Sequence, residues 1–199
     1  MLIGHLFFAA VLGYAIGAFP TGVVVTRLLK KPDVRSSGSG HMGGLNTYRQ
    51  AGVAGGLVTA LVDIGKGVLA AWLAQRLTGT SWALPVAGVA AIAGHCWSAY
   101  IGFAGGMGLG TMAGLFFWQQ PVAPFIGAAL WGLGYLLLRE SPRSVMVMTV
   151  LIVPVFWLLG HFGYASPEVM ALGIGGAGVI FIRHLTQLRV YDRRAAAAE

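Results

Sequence analysis

The sequence predicts an all-α integral membrane protein with about seven transmembrane helices, its N-terminus outside and its C-terminus in the cytoplasm. Three observations lead there. Hydrophobic residues fill 57% of the 199 positions and charged residues only 10%, against about a quarter charged in a soluble domain, and mean hydropathy is +0.77. Apolar runs recur near the length of roughly 20 residues that a bilayer-spanning helix needs. Basic residues also collect in alternate connections between those runs.

Residues 2–29 are apolar with no Lys or Arg before Arg27, so they lack the basic leader of a cleaved signal peptide and read as the first span. Further spans are expected at 53–77, 82–100, 109–118, 122–138, 145–159 and 169–188. The span at 109–118 is short for a crossing. It either extends into 105–108 or forms a re-entrant segment beside six full spans. All 199 residues form one membrane domain, with 191–199 as a frayed tail.

With seven spans, Arg27, Lys30, Lys31, Arg35 and Arg49 follow the first, Arg139 and Arg143 follow the fifth, and Arg183, Arg189, Arg193 and Arg194 end the last. All lie on one side, the opposite side receives Arg76, and the positive-inside bias makes the basic side cytoplasmic. A net charge of +7 then faces anionic headgroups, and no nucleic-acid partner is needed to explain it. Cys96, the only cysteine, permits no internal disulfide and has no metal-ligand spacing around it, so no metal or cofactor is expected.

Between the first two spans, residues 36–49 carry Gly38, Ser39, Gly40, His41, Gly43, Asn46 and Arg49. Glycines let successive N–H groups converge on a phosphate or carboxylate, and hydroxyls and an arginine can complete the shell. The plainer reading is a flexible connector. A second glycine-dense turn, with Gly105, Gly106 and Gly108, follows His95 and leads to Thr111 at the next helix start. It suits either an anion or close helix packing. Asp63 and Lys66 lie three apart on one helix face, as a structural ion pair or a functional one. His95 and His184 could each carry a proton. The segments after spans one, three and seven share one side, so they can build a single site.

Taken together these residues resemble the PlsY family of bacterial membrane acyltransferases. The family motif G-S-G-N-x-G-A-T-N-x-x-R is matched at Gly38, Ser39, Gly40, Gly43, Asn46 and Arg49. Its D-x-x-K-G is matched at Asp63, Lys66 and Gly67, and its G-H-x-aromatic with F-K-G-G-K-G-x-A-T at Gly94, His95, Trp97, Phe103, Gly105, Gly106, Gly108 and Thr111. His184 and Gln187 approach its C-terminal H-x-x-N. The resemblance implies seven spans in the bacterial inner membrane and transfer of a fatty acyl group from acyl phosphate to glycerol 3-phosphate, or another polar alcohol, at the cytoplasmic face. Membrane lipids would surround it, and no metal or nucleotide takes part.

On that likeness Ser39, Asn46, Arg49 and His184 are candidate catalytic residues. Ser39 and neighbouring N–H groups would hold the donor phosphate; Asn46, Arg49, His184 and Gln187 would orient the acceptor. Gly38, Gly40, His41, Gly43, Lys66, His95, Gly105, Gly106, Gly108 and Thr111 complete the expected substrate-binding set. The sequence departs from the pattern at His41, Leu45, Ser98, Ala104 and Met107, the last two replacing lysines. A charge-assisted phosphate contact contributes roughly 1.5–3 kcal/mol, so losing two weakens phosphate binding unless His41, Lys66 or Arg35 substitutes. Two other readings of the same residues are a PlsY-like protein that binds lipid or a partner without transfer, and a small transporter.

Overall fold

The computed structural model describes residues 1–139 and 141–196. The side chains of 189–196, with the terminal arginines, and residues 197–199 of the expected tail lie outside that description. Helices α1 (Leu2–Ala18), α2 (Thr21–Leu28), α3 (Gly44–Thr78), α4 (Ala83–Cys96), α5 (Leu109–Gln119), α6 (Ala123–Leu138), α7 (Ser141–His161) and α8 (Pro167–Ala196) make up the fold. Among the described residues there is no strand, only an isolated bridge between Ser98 and Ala104.

Among the described residues four stretches are long and apolar enough to cross a membrane: Leu2–Leu28, Gly44–Thr78, Pro142–His161 and Pro167–Leu188. Helices α4 and α6 are apolar but shorter. The 11 residues of α5 rise only ~16 Å, about half of a ~30 Å hydrocarbon core.

The first expected span is broken between α1 and α2. Pro20 has no N–H to continue the ladder and drives Phe19 out of helical geometry, to φ −53 and ψ 120. The carbonyls so released find other donors: Ser98 Oγ reaches that of Ala18 at 2.5 Å and Lys66 Nζ that of Phe19 at 3.1 Å. A second break falls at Gly52, whose φ of 75 divides α3 into a short first part and the long membrane part. The sequence reading left residues 44–49 in a loop. They are helical because the Gly43 carbonyl accepts the Asn46 and Thr47 N–H groups and the Thr47 hydroxyl, each at 3.1 Å.

Packing relies on small residues. Ala9, Gly13 and Gly17 of α1 recur every four positions and face Ala87 and Ala91 of α4, where a Cβ at either glycine would collide with the opposing backbone. Such spacing lets membrane helices approach until their backbones touch, which gives dispersion contact without needing a hydrophobic drive. A larger apolar core joins α4, α5, α7 and α8 through Ile92, Leu115, Phe156 and Leu172. Phe7, Leu61, Leu136 and Leu137 are exposed on the outside, as lipid-facing residues are.

Candidate active site

The first loop is organised by one buried amide. Asn46 Nδ2 donates to the carbonyls of Val34 (2.7 Å), His41 (2.9 Å) and Ser37 (3.3 Å), while its Oδ1 accepts the Ser39 N–H at 3.2 Å. The amide is thus occupied by backbone. The loop can wrap this tightly because Gly38 has φ +62 and its missing Cβ leaves room for Asn46 Oδ1. Ser39 stays exposed, its oxygen accepting a long 3.4 Å bond from the His41 N–H, so its own proton is available. Arg35 pairs with Asp33 at 2.7 Å and touches the Ile101 carbonyl at 3.4 Å, tying the first loop to the second.

The second loop leans on α4 and α8. Gly106 sits against the His95 imidazole where a Cβ would strike the ring, and its N–H donates to the His95 carbonyl at 2.9 Å. Arg183 reaches from α8: Nε donates to the Gly106 carbonyl at 3.0 Å and Nη2 to that of Gly105 at 3.3 Å, with the guanidinium 5.8 Å from the Trp97 ring centre. Arg183 is the residue the sequence reading counted only for topology. The signal was present, since an arginine inside an apolar span must find acceptors.

Beneath the loops, Asp63 Oδ1 accepts Lys66 Nζ at 2.9 Å and the Thr21 hydroxyl at 3.0 Å, and lies 3.7 Å from His95 Nδ1. Among the described residues, His95 Nδ1 and Thr111 Oγ1 are buried without a hydrogen-bond partner. The break at Pro20 draws Lys66 toward Phe19 and into a separate open recess bounded by Ala15, Leu69 and Tyr100.

The main cavity, about 1290 Å³, exceeds the ~300–1,000 Å³ of ordinary small-molecule sites. One end is polar, with Gly38, Ser39, His41, Gly43, Asn46, Arg49, Asp63, His95, Gly108, His184 and Gln187 on its wall. The other is apolar, formed by Met112, Phe116, Trp131, Val145, Ile152 and Phe156. Gly40, Lys66, Gly105, Gly106 and Thr111 of the expected set are not on this wall. Helices α3 and α5 both begin at the polar end, which brings the N–H groups of Gly44, Leu45, Leu109 and Gly110 and the positive ends of two dipoles there.

Two side chains on the wall keep polar atoms open to the cavity. His184 Nδ1 sits 2.9 Å from the Ile180 carbonyl and must carry the proton to bond it, leaving Nε2 as the basic nitrogen. Arg49 is exposed on the wall and has no protein partner among the described residues. Of the three cations that could substitute, His41 is held neutral. Burial first, then the charge of Arg183 and the neighbouring His184, lower its pKa to about 4, with a bond to the Gly105 carbonyl acting weakly against them. Arg35 is already paired and Lys66 lies off the wall. Among the described residues no group of His, Cys, Asp and Glu is arranged to hold a metal.

Residues 7–191 match the model of the glycerol-3-phosphate acyltransferase family. Similar proteins include glycerol-3-phosphate acyltransferases of Rubrobacter xylanophilus, 38% identical over 92% of this chain and 89% of that one, and of Pseudomonas aeruginosa, 33% identical over 90% and 92%. The fold is similar to the crystal structure of PlsY, an integral membrane glycerol 3-phosphate acyltransferase. Its glycerol 3-phosphate form gives a TM-score of 0.75 at 28% identity, covering 92% of this chain and 90% of that one. Its lysophosphatidic acid form gives 0.74 at 27%, with the same coverage.

Proposed function

The chain belongs to the glycerol-3-phosphate acyltransferase family, and from that premise we propose how its cavity performs the transfer and how it sits in the membrane. It is an integral membrane acyltransferase that acylates glycerol 3-phosphate, a step of phospholipid synthesis. The donor is an acyl phosphate and the product lysophosphatidate. The observation that carries this reading is the two-part cavity, in which a polar end, with Arg49 unpaired among the described residues and the basic Nε2 of His184, opens into an apolar channel of lipid size.

The donor's acyl chain lies in the apolar part, and its phosphate meets the Ser39 hydroxyl and the N–H groups at the starts of α3 and α5. Arg49 holds the phosphate of the acceptor, and Gln187 orients its glycerol. His184 Nε2 takes the proton from the acceptor hydroxyl as that oxygen bonds to the acyl carbonyl carbon. The carbon–oxygen bond to phosphate then breaks, and the proton passes from Nε2 to the departing phosphate. An acyl phosphate is already an activated anhydride, so placement and charge stabilisation carry the rate. Asn46 and Arg183 act one step back, holding the two loops. Asp63 and Lys66 form a structural pair.

Seven crossings in the bacterial inner membrane fit the helix order if α1 with α2 counts as one span and α5 as a short one. The basic connections then face the cytoplasm, and the polar end of the cavity with them. Purified protein supplied with acyl phosphate and glycerol 3-phosphate is expected to yield lysophosphatidate, and His184→Ala to lose about 10²–10⁴-fold in kcat. Folded protein that gives no lysophosphatidate refutes the transfer and favours a lipid-binding relative instead.

A further inference from the structure

Building on the acyl-transfer reading, we propose that the stacked rings of Phe116 and Phe156 close the apolar end of the cavity and set the longest acyl chain the protein accepts. The two rings come from different helices, α5 and α7, and meet with centroids 4.8 Å apart and 28° between planes. Both are almost fully buried, at 3% and 1% exposure, and both stand on the cavity wall.

The lining residues give the channel a direction. On α7 they are Pro142, Val145, Met148, Ile152 and Phe156, one helix face running away from the polar end. From Pro142 to Phe156 that is ~21 Å at the rise of an α-helix. A bilayer core of ~30 Å is two chains deep, so the channel holds one lipid acyl chain laid out along α7. Phe116 stands seven residues along α5 from Leu109, another wall residue, and brings the second ring to the same far end.

The Phe156 ring cannot yield easily. On α8 the residue facing it is Gly173, where even a Cβ would collide with the ring, so α8 is already in contact behind it. A chain that reaches the pair must stop or bend. Up to that point each added methylene is removed from water and increases affinity about fourfold; past it, none of that gain is available. Gly127 of α6, also on the wall, offers the opposite test: a Cβ there would lie 3.9 Å from Met148 Sδ, so a larger side chain can enter the channel without meeting backbone.

The experiment uses unreactive alkyl phosphates of graded length, read by their protection of the full-length protein against heat, and acyl transfer from acyl phosphates of the same lengths. Wild type is expected to gain stabilisation with length up to a limit. Phe156→Ala and Phe116→Ala move the limit to longer chains, and Gly127→Leu moves it to shorter ones. Should Phe156→Ala not fold, Phe156→Leu and Gly127→Leu carry the comparison. The same length limit in wild type, Gly127→Leu and whichever Phe156 variant folds overturns the proposal, whether or not transfer occurs. A limit that shifts in binding while no donor gives lysophosphatidate supports the stop formed by the rings and overturns the acyl-transfer reading alone.

Discussion

Asn46→Ala removes the amide that joins four points of the first loop. Two of these, the Val34 and Ser37 carbonyls, also accept from Gln50 Nε2 at 2.6 and 3.2 Å, so they keep a partner. The bonds truly lost are those to the His41 carbonyl, at 2.9 Å, and from the Ser39 N–H, at 3.2 Å. At ~0.5–1.5 kcal/mol each they sum to about 1–3 kcal/mol, which is about 5- to 150-fold if it appears wholly as lost transition-state binding. Lysophosphatidate formation measures that loss as kcat/KM, and hydrogen exchange of residues 34–41 measures the loosening of the loop. Both are expected to change by similar factors. Gln50→Ala alone should be mild, and the double variant worse than the sum, because each amide covers for the other at Val34 and Ser37. Activity that collapses while loop exchange stays at the wild-type rate refutes the reasoning and assigns Asn46 to the substrate directly.

Three other outcomes are expected. Asp63→Asn leaves the buried Lys66 without its counter-ion and should cost about 3–5 kcal/mol of stability, seen as a lower thermal midpoint in detergent; adding Lys66→Met should recover much of it, and equal midpoints for wild type and Asp63→Asn would contradict the pairing. For His41, the folded pKa of about 4 lies below the ordinary 6.5. Above pH 6.5 the group is neutral folded or unfolded; between there and pH 4 only the unfolded chain binds the proton, so stability falls as pH falls. His41→Asn should flatten that acid slope in thermal midpoints, and an unchanged slope would reject it. Arg183→Ala takes away the donor of the Gly106 carbonyl and one donor of the Gly105 carbonyl, which His41 also bonds, and should lower kcat/KM by about tenfold, with Arg183→Lys restoring only part because a point charge cannot span both oxygens; full rescue by lysine would reject the two-carbonyl geometry.

Much of the fold was legible in the chain because apolar runs end where glycine, proline and polar residues begin, and the runs expected at 109–118 and 122–138 fall within a residue of α5 and α6. The glycine, serine and arginine spacing of 36–49 likewise marked the first loop. Which way side chains turn was not legible. A membrane helix is apolar all round, so periodicity does not say which face meets its neighbours. Lys66 shows the consequence: it shares a helix face with Asp63, yet the break at Pro20 supplies a carbonyl that draws its ammonium off the cavity wall.

The sequence by itself determined the membrane class, the family and many of the residues that line the polar end, because hydropathy and motif spacing are properties of a single chain. Only the tertiary structure decided that Asn46 binds its own loop, that Arg183 reaches the Gly105 and Gly106 carbonyls, and that Phe116 and Phe156 meet across forty residues of sequence. Those relations depend on how far each helix is rotated about its axis. Rotation is set by small-residue contacts such as Gly13 against Ala87, which exist only after the helices have packed.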